Sequence, residues 1–314
     1  MLSFHNITVA DREAYQAVSL RSGRRNCNFT FANLIGWQFW FKTELCIIPP
    51  SPAGTPPTLG GELGSVVLRF TLDGERAYML CAAGTPCCEL LRAICDDCGG
   101  RLTILGLEDD AAQQLQQNAC REGIDIIVEP QRNQYDYIYR RVDLAALQGG
   151  KLKAKRNHVN KFRAEYPDFE YRELTPEMFD ECRRLATIWR EERGDNNPEY
   201  GDTIAAEHRV MENVFANWEA LGMLGGSIWL GNKMVAFTYG AAVTDDTIDV
   251  CVEKADRSID GLFSVINQQF AAHLPERYIY LNREEDMGLE GLRKAKLSYH
   301  PEILLTYNVV SFRR

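Results

Sequence analysis

Nowhere in this sequence do about 18 apolar residues run together, the length a membrane-spanning helix requires. The opening residues, MLSFHNITVADREAYQ, show no basic start followed by an apolar stretch, so a secretory leader is not expected. Positive charge is in the minority: 35 Lys and Arg stand against 44 Asp and Glu, for a formal net charge of -9. Nucleic-acid binders are usually basic overall, so any polyanion must be met by a local patch. There is no Gly-x-Ser-x-Gly elbow, no P-loop and no His-Glu-x-x-His. Hydrolase, nucleoside-triphosphatase and zinc-protease chemistries therefore have no motif behind them.

Cysteine is not scarce. Ten cysteines without an export signal suggest free thiols in a reducing compartment, and the cytoplasm is the expected location. Four of them cluster: Cys87, Cys88, Cys95 and Cys98. Zinc would need a second liganding pair, and none is spaced nearby, so no metal site is expected. The segment reads instead as a helix that starts at Pro86 and stops at Gly99-Gly100. Cys88, Leu91, Cys95 and Cys98 then share one face as small buried hydrophobes.

A single core stops growing near 250–300 residues (roughly), so a chain of 314 residues is expected to form two domains, here 1–141 and 142–314. In the first, Val66–Phe70, Ala77–Cys81, Arg101–Leu105 and Tyr135–Tyr139 read as strands, and Asp109–Glu122 as an amphipathic helix. The proline-rich stretch from Ile47 to Gly61 reads as a surface loop. In the second, helices are expected over 150–166, from Thr175 to about 193, over 205–220 and over 261–274. Strands are expected at Phe169–Glu173, Gly226–Leu230, Met234–Ala242, Thr247–Cys251, Tyr278–Leu281 and Ile303–Val310. Strands alternating with helices give an α/β or α+β class.

Two segments stand out chemically. From Lys151 to Arg163 there are six basic residues and no acidic one, against the acid bias of the whole chain. Leu152, Val159, Phe162 and Tyr166 would form the stripe that docks this helix. Lys155, Arg156, His158, Asn160 and Lys161 are then candidates to meet phosphates, or else form a solvated face and brace the inter-domain joint. The second segment is Asn282-Arg283-Glu284-Glu285-Asp286-Met287-Gly288. Three carboxylates just past a strand end can hold an amine and take its proton, or cap the helix that follows. Glu284 and Asp286 are the candidate acid–base groups, with Glu253, at the end of an earlier strand, as another candidate base.

The order of the second half is strand, two helices, three antiparallel strands, helix, strand, closing strand. It resembles the GNAT acyltransferase fold, which implies two tandem GNAT-like domains with mixed central sheets flanked by helices. The resemblance implies a donor site at the helix start Asp256–Leu262. There Arg257 and Gly261 match the basic and small positions, and a second glycine is missing. KLKAKRNHVNKFRAEYPDFEY and YLNREEDMGLEGLRKAKLSYHPEILLTY, with Lys233–Phe237 and Val252–Asp256, are similar to the C-terminal domain of phosphatidylglycerol lysyltransferases. More closely, they resemble a stand-alone bacterial family related to it. Fem-type transferases share the double layout.

The resemblance implies acyl or aminoacyl transfer from a charged tRNA or a coenzyme A thioester to an amine or hydroxyl, such as a lipid head group. A tRNA and a small-molecule or lipid acceptor are the implied partners, with peripheral rather than spanning membrane contact. It implies Asn282 and Arg293 as further donor-side groups. Lys296 would bind donor phosphate or stabilise an oxyanion. Two alternatives stay open: a non-catalytic anion-binding module, and an ordinary acetyl-coenzyme A-dependent N-acetyltransferase.

Overall fold

The computed structural model describes residues 2–50, 64–72, 74–82, 88–98, 101–121, 125–194 and 201–313. In chain order the strands are β1 (His5–Asn6), β2 (Glu44–Ile48), β3 (Ser65–Leu72), β4 (Glu75–Ala82), β5 (Arg101–Leu107), β6 (Ile126–Pro130) and β7 (Asp136–Arg140). They continue with β8 (Glu170–Glu173), β9 (Leu224–Leu230), β10 (Lys233–Ala242), β11 (Thr247–Ala255), β12 (Tyr280–Asn282), β13 (Ile303–Leu305) and β14 (Asn308–Arg313). Among the described residues they form two seven-stranded sheets, ordered β1-β2-β3-β4-β5-β14-β6 and β13-β7-β12-β11-β10-β9-β8. Each sheet is antiparallel apart from one parallel pair, β4 with β5 in the first and β11 with β12 in the second.

The sheets exchange strands. β7 precedes the expected boundary at 141 yet lies in the second sheet, and β14 returns from the far end of the chain to lie between β5 and β6 in the first. The expected single strand Ile303–Val310 is therefore corrected to two. The chain breaks at Thr306-Tyr307, and the two pieces join different sheets. A run of β-branched and aromatic residues specifies extended backbone but not its partner. Strand β6 and the helices Arg12–Ser19 and Phe31–Gly36 were not read from the sequence at all.

A shared core joins the halves. Tyr15, Phe31 and Leu68 from the first pack in one cluster with Phe215, Trp218 and Phe237 from the second. The basic helix, Lys153–Glu165, docks as its pattern requires: Leu152, Val159 and Phe162 are buried and Tyr166 half-buried. It packs on the helix Leu262–His273 and leaves Lys153, Lys161 and Arg163 exposed, with Lys155 and Arg156 half-buried. The cysteine-bearing helix spans Cys88–Cys98, but its buried face is Leu90, Leu91 and Ile94, with Cys95 and Cys98 at the margin. Its leucine and isoleucine bury more apolar area than the thiols, so they set the orientation. Pro86, Cys87, Gly99 and Gly100, and residues 51–61 of the proline-rich stretch, lie outside the described residues. Among those described, no helix is long and apolar enough to cross a membrane.

Candidate active site

The site is built on the parallel pair of the second sheet. β11 and β12 pair only at Thr247, Ile248 and Asp249, opposite Tyr280, Leu281 and Asn282. β11 then continues to Ala255 while the chain leaves β12 at Arg283, so the strands open into a V with Asp249 and Asn282 at its vertex. Past the vertex, Cys251 to Lys254 become half-buried. β11 carries a bulge here, because Tyr239 pairs with Val252 but Ala241 pairs with Asp249. Such an extra residue re-aims side chains where regular alternation would not. Gly240 makes it possible: a Cβ there would stand 2.0 Å from the carbonyl oxygen of Asp249.

At the vertex lies a hollow lined by four carboxylates from three parts of the chain: Asp136 at the start of β7, Asp249, Glu284 and Glu285. Asp136 accepts hydrogen bonds from the Cys27 amide and from Asn282 Nδ2, each at 2.7 Å. Cys27 Sγ stands 3.4 Å from Asp136 and 3.6 Å from Glu285. Asn33 Nδ2 donates to Asp249 at 2.9 Å and to Glu284 at 3.2 Å. Burial, and then the charge of Glu285, pushes Asp136 up to about 7. Burial, with the neighbouring carboxylates, also pushes Asp249 and Glu284 well above the ordinary range. Asp136, Asp249 and Cys27 escaped the sequence reading because they stand alone in sequence, with no motif around them.

Several expected site residues turn out to build this hollow rather than to line it. Lys296 is buried, and its ammonium donates to the carbonyls of three consecutive residues, Arg283, Glu284 (3.1 Å) and Glu285 (2.6 Å). With all three protons engaged it clamps the loop, so the expected phosphate or oxyanion role is corrected. Asp286 is fully buried, and faces Arg293 at 2.8 and 2.9 Å, Arg132 at 3.0 Å and Tyr137 Oη at 2.6 Å. Burial alone would raise its pKa, but the hydrogen bonds from Arg293, Tyr137 and the Gly288 amide win and hold it far below the usual range. Its carboxyl is held in the ionised form and anchors the loop, and Arg293 is engaged as its partner, so neither stands free for the base or donor role expected of it. Asn282 is also a brace: Nδ2 reaches Arg25 O and Asp136, and Oδ1 accepts the Glu284 amide. The loop needs such bracing because Glu284 and Met287 sit at φ 56° and 51°, in the left-handed region.

On the open limb of the V, Arg283 Nη2 donates to Glu253 Oε1 at 2.9 Å, and Asn267 Nδ2 approaches the other oxygen at 3.4 Å. Arg283 Nη1 and Asn267 Oδ1 are both buried without a hydrogen-bond partner. The guanidinium also lies 5.0 Å from the ring centre of Tyr299, whose hydroxyl meets Ser264 Oγ at 3.1 Å. Lys155 Nζ lies 4.2 Å from the same ring, and burial followed by the charge of Arg283 lowers its pKa.

Ser264 belongs to the first turn of the helix Leu262–His273, where a cleft of about 330 Å³ opens. It is lined by Lys155, His158, Arg257, Asp260, Gly261 and Ser264, among others. Four of the residues expected at the donor site, Lys155, His158, Arg257 and Gly261, thus come together. Gly261 has φ 79°, and a Cβ would stand 2.7 Å from His158 O, so the helix start and the basic helix touch only because this residue has no side chain. Lys161 sits outside that lining and pairs with Asp260 at 2.7 Å. Asn160 is exposed on the same helix, outside the lining. Arg156 turns away to the carbonyls of Leu147 and Gly149, which corrects its phosphate-binding role to a brace.

Two mixed sheets, each with one parallel pair, with helices on their faces and a cleft at a helix start beside the splayed strands, define the tandem GNAT-like class. The family described as phosphatidylglycerol lysyltransferase, C-terminal, matches residues 80–310, and the chain belongs to that family. It is similar to a conserved protein of unknown function from Bacteroides thetaiotaomicron VPI-5482, with 37% identity over 100% of each chain and a TM-score of 0.89. It shares its fold with the C-terminal domain assigned to a lysylphosphatidylglycerol synthetase of Agrobacterium fabrum (11% identity, 98% of this chain and 93% of that one, TM-score 0.60). The same holds for L-PGS from Bacillus licheniformis (12% identity, 96% and 92%, TM-score 0.57). No curated protein matches the sequence.

Proposed function

We propose that the protein transfers an aminoacyl group from a charged tRNA to an amine or hydroxyl acceptor, directly and without a covalent enzyme intermediate. The observation that carries this reading is the continuity of the site. A run of side-chain contacts links a basic cleft at a helix start, through Ser264, Tyr299 and Arg283, to Glu253 on the open limb of the V. The 3′ end of the tRNA suits the cleft, where Lys155, His158 and Arg257 meet its phosphates and the helix start offers amide N–H groups and its dipole. The ester carbonyl then lies in the V. The unpartnered Arg283 Nη1 is a donor for the oxyanion that forms there. Glu253, held by Arg283 and Asn267, takes the proton of the acceptor as the new bond forms. When the tetrahedral intermediate collapses, the ribose oxygen leaves and regains a proton.

The test is transfer from a set of charged tRNAs, and separately from acetyl-coenzyme A, to an acceptor panel that includes phosphatidylglycerol. Transfer from tRNA alone supports the reading. Turnover and thermal stabilisation with acetyl-coenzyme A alone would instead support the N-acetyltransferase, and anion binding without turnover the non-catalytic module.

A further inference from the structure

The buried hollow contains more unsatisfied polar groups than a finished interior should. Buried polar atoms are almost always paired, and an exception calls for a missing partner. Asp249 is fully buried, and its Oδ1 has no hydrogen-bond partner. Thr30 Oγ1, also fully buried and directed at Asp249, closes no well-formed bond. Tyr239, on the neighbouring strand β10, buries a hydroxyl without a partner close enough to feel Cys251 and Glu284.

We infer that Asp249, Cys251 and Glu284 form a binding site for a divalent ion of borderline softness, with zinc as the natural probe. One ligand atom from each residue lies within 4.8 Å of the others. Their carboxylates are already aimed: Asn33 holds Oδ2 of Asp249 and Oε1 of Glu284 from a single amide nitrogen. That leaves Oδ1 of Asp249 free for a ligand. This is how an outer carboxamide fixes first ligands around a metal. Cys251 and Glu284 are half-buried, and Asp249 is fully buried behind them in the pairing of β11 with β12.

Charge argues the same way. Among the described residues, none of Asp136, Asp249, Glu284 and Glu285 forms an ion pair with Lys or Arg. The Lys296 ammonium on the loop carbonyls supplies one positive charge near them, and a dication would offset two more. The thiol selects the kind of ion. Magnesium and calcium take oxygen ligands, whereas two carboxylates with a thiolate suit zinc, cobalt or ferrous iron. A primary ammonium would satisfy the carboxylates, but a thiol is a poor acceptor for it. On binding, Cys251 loses its proton to solvent and the sulfur bonds the ion, with no redox change. Three protein ligands leave a fourth position open, as in reactive rather than purely structural zinc sites.

The experiment uses the full chain, stripped with a chelator, and titrates it with zinc by calorimetry and with cobalt by absorbance. One equivalent of zinc is expected, with a thiolate-to-cobalt charge-transfer band in the near ultraviolet. Cys251→Ala should abolish the band and Cys27→Ala should leave it. Asn33→Ala, which removes only the orienting amide, should weaken zinc about 10- to 100-fold. Glu284→Gln, at a position less buried than Asp249, is the variant to use if Asp249→Asn fails to give a folded chain by thermal melting in the absence of metal. A band that survives in Cys251→Ala, or no saturable uptake by the folded native chain, overturns the assignment. Stabilisation of the native chain but not Glu284→Gln by a simple alkylammonium, with no zinc uptake, also overturns it and gives the hollow to an amine.

Discussion

Arg283 and Glu253 face each other across the opening of β11 and β12, Nη2 to Oε1 at 2.9 Å, and both side chains are about 13–14% exposed. The pair joins the two limbs of the V, one residue past the end of β12 and two residues before the end of β11. It holds a guanidinium whose remaining Nη1 has nothing to bond.

Glu253→Gln keeps the shape of the carboxylate and removes its charge. Transfer should fall by about 10²- to 10⁴-fold, the usual value of a general base, while tRNA binding in the separate cleft persists. Unpairing a largely buried arginine also costs stability, up to about 3–5 kcal/mol when a partner is removed outright. The assay therefore belongs well below the melting temperature, with the melt recorded alongside. Transfer at the native rate would take Glu253 out of the chemistry.

Lys296→Met fills a similar volume but leaves the carbonyls of Arg283 and Glu285 without their donor, while that of Glu284 keeps the Tyr137 amide. An unsatisfied buried acceptor costs roughly 1–3 kcal/mol, so a loss of several kcal/mol in urea denaturation is expected. Because the loop 283–288 holds Arg283 as well as Glu284, transfer should fall together with stability. A variant that loses transfer at unchanged stability and loop structure would return Lys296 to a direct role.

The contrast between Lys296 and the basic helix shows what was legible in the sequence. Lys151–Arg163 could be read because the apolar spacing of Leu152, Val159 and Phe162 and the run of charge are properties of one contiguous segment. Gly261 could be read because a helix start after Asp256–Asp260 is also local. The carboxylate hollow could not, since Asp136 reaches it through strand exchange and Asp249 through the three-residue contact with β12. Lys296 and Asp286 were visible as charged residues, but sequence does not show whether a charge is already satisfied. Both are, by groups up to 154 residues away, such as Arg132 for Asp286.

The hollow should make the protein less stable as pH rises. Asp136 binds its proton more tightly in the folded chain, up to about 7, than the unfolded value of 3.8. Between about pH 4 and 7 the folded state therefore holds more protons than the unfolded state, and unfolding free energy falls as pH rises. Asp136→Asn keeps an acceptor for the Cys27 amide and Asn282. Its stability relative to the native chain should rise across that window and level off above it. Urea midpoints at a series of pH values, without added metal, measure this; a constant difference would contradict it. Asp286 works in the opposite direction: its pKa is depressed, so the stability it contributes is present above the unfolded value and is lost only as pH falls through its low folded value.

Arg257 is exposed at the cleft and is a candidate phosphate contact. Arg257→Ala should weaken binding of any charged tRNA similarly, whatever its sequence. It should also reduce the slope of log affinity against log salt by about 0.7–1, the value of one contact. Filter binding at several salt concentrations is sufficient. An unchanged slope would remove Arg257 from the phosphate path.

The exchange of β7 and β14 bears on how the protein is made. The first sheet is missing a strand between β5 and β6 until residues 308–313 have emerged from the ribosome. At roughly 5–20 residues per second, the edges of β5 and β6 wait on the order of ten seconds or more after synthesis. During that interval two neighbouring edges stand open, and open edges are templates for pairing with other chains. Nascent chains of this protein are thus expected to depend on holding chaperones more than a pair of independently folding domains would, and a stalled or prematurely ended chain would leave both halves incomplete.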